Sequence, residues 1–193
     1  MTSKLPQLRA FVLVTIVLQF ITSCGNSTSN QPATEQGFAT IENALKDKFG
    51  DNAYYTDLSI TYSESIGNII GVTVTENPES LKMGQWNLTQ DNWQQNSDIT
   101  IEVPQGTKAA DYMFQLGNTV SLSKLGSLVE QASQKLKDDK GLKNPTLSIA
   151  ALNFPNNGNA SQAQYAIILK PEHGGTSFQF YYKLNGELID MDY

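Results

Sequence analysis

Between Gly37 and Phe49 apolar side chains recur at Phe38, Ile41, Leu45 and Phe49, spacings that put them on one stripe of a helix. Gly50 follows as the stop. Lys46 and Lys48 fall in the last turn, where the negative end of the helix dipole favours cations. The period then changes to two. Leu58, Ile60 and Tyr62 alternate with polar residues, as do Ile70, Val72 and Val74, and "KMGQWNLT" and "DITIEV" complete a run of four strands with "NPES" and "TQDN" as turns. A connector, "PQGTKAADYMFQLGNTV", has room for a short helix at 109–116. A second helical stripe follows at Leu125, Leu128, Val129, Ala132 and Leu136, with Ser123 as N-cap, Gly141 as stop, and Lys135, Lys137 and Lys140 near its end. Leu147, Ile149 and Ala151 then alternate. "QYAIILK", "TSFQFYYKL" and "ELIDMDY" add three strands, the last two joined at Asn185-Gly186, a two-residue hairpin signal.

The halves match in words as well as in pattern. "LKDKFG" at 45–50 parallels "LKDDKG" at 136–141, "DLSI" at 57–60 parallels "TLSI" at 146–149, and "NPES" at 77–80 parallels "KPEH" at 170–173. Trp86 and Trp93 then fall opposite Tyr181 and Leu188. This spacing predicts a duplicated α-β-β-β-β unit. The expected class is α+β: an antiparallel sheet with the helices packed on one face, the first unit at 37–104, a connector at 105–120 and the second unit at 121–193. The layout is similar to tandem helix–sheet modules of the PepSY type and the beta-lactamase-inhibitor-protein type, a likeness of architecture alone.

The N-terminus is built differently. Lys4 and Arg9 precede an apolar run of about twelve residues, Ala10 to Ile21, too short for a bilayer span of roughly 20 residues. A basic start, a short apolar core and small residues at its end are the parts of a secretory signal. Next comes Ile21-Thr22-Ser23-Cys24, which resembles the bacterial lipobox: an aliphatic residue, two small ones, then cysteine. The resemblance implies cleavage after residue 23, a diacylglycerol on the Cys24 thiol, and a membrane-tethered mature protein. Gly25, in place of the Asp that marks inner-membrane retention in such lipoproteins, points to the outer membrane. Cys24 is the only cysteine, so no disulfide holds the exported domain. The polar stretch Gly25–Gln36 reads as a flexible leash holding the domain about 20 Å from the surface.

Charge narrows the partners. Two of the 13 basic residues lie before Cys24 and all 19 acids lie after it, so the exported part is more acidic than the full chain at −6. Arg9 is the only arginine, leaving the domain no guanidinium fork for phosphate. Nucleic acid and polyphosphate are therefore not expected partners.

Little chemistry is left in the sequence. His173, the only histidine, sits in "KPEHGGTS"; Glu172 or Asp190 would orient it as a base, with Gly174 and Gly175 as oxyanion donors, but the composition is that of a turn. No G-x-S-x-G, Walker or G-x-G-x-x-G pattern occurs. One histidine and no spare thiol do not make a zinc site, and neither Asp138-Asp139 nor Asp190-x-Asp192 has calcium-loop spacing. No cofactor and no metal are expected. The aromatics hold more promise: Phe178, Phe180 and Tyr182 alternate away from Tyr181, so one row fills the core and the other reaches solvent. The expected function is a non-enzymatic envelope lipoprotein that binds another envelope protein through a sheet face or edge. The alternative is glycan or small-ligand binding through Trp86, Trp93 and Tyr181; a hydrolase resting on His173 comes third.

Overall fold

The computed structural model describes residues 27–117 and 119–192. The run preceding Cys24, and Cys24 itself, lie outside them. Helix α1 (Glu35–Phe49) leads to strands β1 (Tyr54–Ser63), β2 (Gly67–Thr75), β3 (Lys82–Thr89) and β4 (Asn92–Thr100). Helix α2 (Leu122–Lys140) leads to β5 (Pro145–Asn153), β6 (Gln164–Pro171), β7 (Phe178–Lys183) and β8 (Leu188–Asp192). The fold is α+β. All eight strands form one open antiparallel sheet in the order β4-β3-β2-β1-β5-β6-β7-β8, the halves joining where β1 pairs with β5.

One face of this sheet is the core. A single row crosses every strand, Trp93–Leu88–Ile70–Ile60–Ala150–Ile167–Phe180–Met191, and its members belong to or pack against the hydrophobic cluster under the helices. Phe38, Ile41 and Leu45 of α1 and Leu125, Leu128, Ala132 and Leu136 of α2 reach it fully buried, the two helical stripes anticipated from spacing. Each of these side chains larger than alanine contributes roughly 1.5–3 kcal/mol by leaving water. The helices touch closely, because Gly126 of α2 faces the Thr34 carbonyl, where a Cβ would overlap the oxygen.

The capping is reciprocal. Glu42, on the inner side of α1 and 8% exposed, accepts a hydrogen bond from Leu122 N at 2.7 Å and so caps α2, while Lys46 Nζ lies 2.6 Å from its other oxygen. Glu130 of α2 in turn accepts from Glu35 N at 3.0 Å and caps α1. The N-caps proper are Thr34 and Ser121. Ser121, not Ser123, starts the second helix, because Leu122 must sit inside the core and Ser121 N is taken by the Tyr165 hydroxyl at 2.9 Å.

Other departures have local causes. Strand β4 begins six residues before "DITIEV": its "NWQQNS" start lacks alternation because it is an edge strand with water on two sides. Gln90 and Asp91, both at positive φ, turn the chain into it. In place of the expected short helix the connector forms a single 3-10 turn, Ala109–Tyr112, and then a bridge between Phe114 and Tyr55. Asn185-Gly186 belongs to a three-residue loop, with Gly186 N donating to Lys183 O and Gly186 at φ +94° as the bulge residue. The greatest difference is in the expected leash. From Ser27 onward it is a strap on the domain, with Thr28 and Ser29 each only 5% exposed.

Candidate interaction surface

The face opposite the helices is built from the alternate residues of the same strands. Two rows cross it. The first runs Asn92–Thr89–Ile69–Thr61–Ile149–Ile168–Gln179–Asp192, and the second Gln94–Asn87–Gly71–Ser59–Ala151–Ala166–Tyr181–Asp190. Over the four central strands these rows hold only Ile, Thr, Gly, Ser and Ala, all partly exposed and none charged. The Gly71–Ser59–Ala151–Ala166 stretch is a low trough roughly 15 Å long, at about 4.8 Å per strand. Amides of β3 and β4 wall one end. Tyr181, its hydroxyl donating to Gln179 at 2.9 Å, and the carboxylates of β8 wall the other. One corner is covered: Met83, Ala109 and Met113, with Tyr54 and Ile99, make a small second core where the 3-10 turn crosses the sheet.

The two sheet edges differ. β4 offers nine residues, kinked where Asn96 is extra between Gln95 and Ser97. β8 offers five, with Ile189 the extra residue of its own bulge. Leu188 and Ile189 are 38% and 49% exposed, two of the three large apolar side chains most open to water among the described residues. Edge backbones of this kind accept an added strand.

The structure separates the three aromatic candidates. Trp86 and Trp93 lie on the helix side, edge-on to Phe49 with ring centroids 5.7 and 5.0 Å away, and Lys48 Nζ stands 4.8 Å over the Trp86 ring. Tyr181 lies on the opposite face. No single groove brings the three together. Trp86 matches Tyr182 of the second half in facing the core, so the word-based pairing of Trp86 with Tyr181 is displaced by one residue.

His173 occupies the exposed β6–β7 turn beside a hollow of about 370 Å3 lined by Leu142, Lys143, Asn144, Pro171 and Glu172. Glu172 accepts from Asn144 Nδ2 at 2.6 Å, and Gly174 N donates to Pro171 O, so this amide closes the turn. Asp190 lies on the open face at β8 opposite Tyr181, three residues along β7 from where that strand leaves the turn. Among the described residues no group of three or more His, Cys, Asp or Glu side chains assembles, and no helix is long and apolar enough to cross a membrane.

Sequence reasoning missed two features. One is Glu42, the buried cap of α2, whose charge is felt at the buried Tyr55 and Tyr165 hydroxyls. Burial, and then the Glu42 charge, push the Tyr55 hydroxyl up, and it has no hydrogen-bond partner. Glu42 falls beside the Ile41 position of the α1 stripe, the only sequence signal for it. The other is Asp91, which holds the strap; nothing near it in sequence indicates that partner.

Compared with protein-family models, curated proteins and solved structures, the chain has no match.

Proposed function

We propose that this chain is a non-enzymatic envelope lipoprotein, anchored through a lipid on Cys24, whose open sheet face binds another envelope protein. The observation that carries the binding reading is the uncharged, low-relief trough across four strands whose other face is fully packed by helices. An apolar platform rimmed by amides, a tyrosine and carboxylates matches the make-up of protein contact surfaces, with an apolar centre and polar rim. The lipid rests on the Ile21–Cys24 motif, and the outer-membrane reading on Gly25 after it. Crosslinking in an exporting bacterium tests this: a specific envelope protein captured with the parent and lost with Cys24→Ala is the expected result. Capture of nothing above background would overturn it and favour glycan binding at Tyr181.

We further infer that the two halves are a duplicated α-β-β-β-β unit. Three features support it. Each half contributes its four strands in the same outward order from the central β1–β5 pair. Extra residues bulge β1 and β5 at Thr56 and Ser148, and β4 and β8 at Asn96 and Ile189. Glu42, the eighth residue of α1, and Glu130, the ninth of α2, cap each other's helices. Relatives whose halves agree at these bulge and cap positions would bear out the duplication; halves that agree nowhere would contradict it.

A further inference from the structure

The stretch after the lipidation motif is too short and too firmly held to be a leash. Asn68, 1% exposed at the start of β2, donates from its backbone N to Ser29 O at 2.8 Å and from Nδ2 to Thr28 O and Gln31 O at 3.1 and 2.8 Å. Asp91, in the β3–β4 turn, accepts from Thr28 Oγ1 at 2.8 Å and Ser29 N at 3.1 Å, while its own N donates to Ser29 Oγ at 2.9 Å. Gly67, at φ +77°, lies so close to the Ser29 carbonyl that a Cβ would overlap the oxygen. Two hairpins thus clamp the strap before it turns through Pro32 into α1.

We propose that this strap fixes the domain's orientation on the membrane, with the β1–β2 and β3–β4 turns facing the lipid surface. The proposal rests on the lipid reading of Cys24 and extends it to geometry. Only three residue steps separate Cys24 from Ser27, and a fully extended chain covers at most about 11 Å in that distance. The anchor therefore lies close to a hollow of about 480 Å3 bordered by Ser29, Pro32, Tyr62, Ser65 and Gln90. The strands run away from this end. β2 has nine residues, so the connection after it, with the short turn Pro78–Ser80, lies roughly 30 Å further out. A clamped anchor holds the sheet upright, leaving its open face and both edges free along the membrane normal. A free leash would let every face meet the surface.

The test uses the full chain, produced in an exporting bacterium and reconstituted in vesicles carrying a headgroup quencher. A fluorophore is placed on Ser65→Cys or on Glu79→Cys, both exposed positions. Cys24 is the only native cysteine, so a parent that takes up no fluorophore shows its thiol blocked. The expected result is at least twofold stronger quenching at residue 65 than at 79. Asp91→Ala, or Gly67→Ala as a second route to a released strap, should bring the two closer to equal. Equal quenching in vesicle-bound protein with a blocked Cys24 would overturn the orientation alone. Labelling of the parent at Cys24 would overturn the lipid reading and the orientation with it.

Discussion

Tyr55 is 1% exposed, stacked on Phe114 at 5.7 Å, and carries a hydroxyl that nothing receives. A buried polar atom without a partner costs on the order of 1–3 kcal/mol, so Tyr55→Phe should leave stability unchanged or raise it by up to about 1 kcal/mol, read from urea unfolding. A loss beyond about 1 kcal/mol would mean that the hydroxyl has a partner in solution. Tyr165 is the contrast, since its hydroxyl accepts from Ser121 N and donates to Ser121 O at 3.1 Å. The two capping glutamates differ in the same way. Removing Glu42 leaves Leu122 N unpaired inside the core, and Glu42→Ala should cost about 2–4 kcal/mol. Glu130 performs the same task at an exposed site, and Glu130→Ala should cost less than about 1 kcal/mol. Equal losses would mean that burial is not what separates them. Spacing located the apolar neighbours of these residues, but not their polar partners, which come from elements about 80 to 95 residues away.

Among the elements, those with a strong period were legible: both helices, and the strands whose alternate residues meet the core. Alternation places β4 late because it records burial on one side, and most of β4 is wet on two. Composition alone makes the strap a leash, because composition reports apolar content and the strap's hold on the domain is almost entirely hydrogen bonding. That hold is sensitive to acid. Partial burial pushes the Asp91 carboxyl up, but hydrogen bonds from Ser27, Ser29 and Thr28 outweigh it and bring it down to about 2, below the ordinary value of 3.8. A group lowered on folding stabilises the folded form above its unfolded value and loses that contribution as pH falls. The strap should thus be fully held above about pH 4 and loosen towards about pH 2. Amide exchange at Ser29 and Asn68 checks this. It should quicken across that window in the parent, after correction for intrinsic exchange, and the step should vanish in Asp91→Asn.

For the whole molecule, one sheet face is filled by two helices and the other is left with small, uncharged side chains at its centre. The α+β class and the separation of Tyr181 from the Phe178–Phe180–Tyr182 row were legible from alternation. The trough was not, because Gly71, Ser59, Ala151 and Ala166 are unremarkable in sequence and become one surface only when β1 pairs with β5. The measurement closest to the central claim is photo-crosslinking in cells from a probe residue at Ala151 or Ala166 on the open face, set against one at Gln131 on the exposed side of α2. The account predicts one envelope protein captured from the two sheet positions, absent from Gln131, and lost when Ser59→Arg fills the trough beside Ala151. Capture from Gln131 alone, or from all three positions alike, would contradict it.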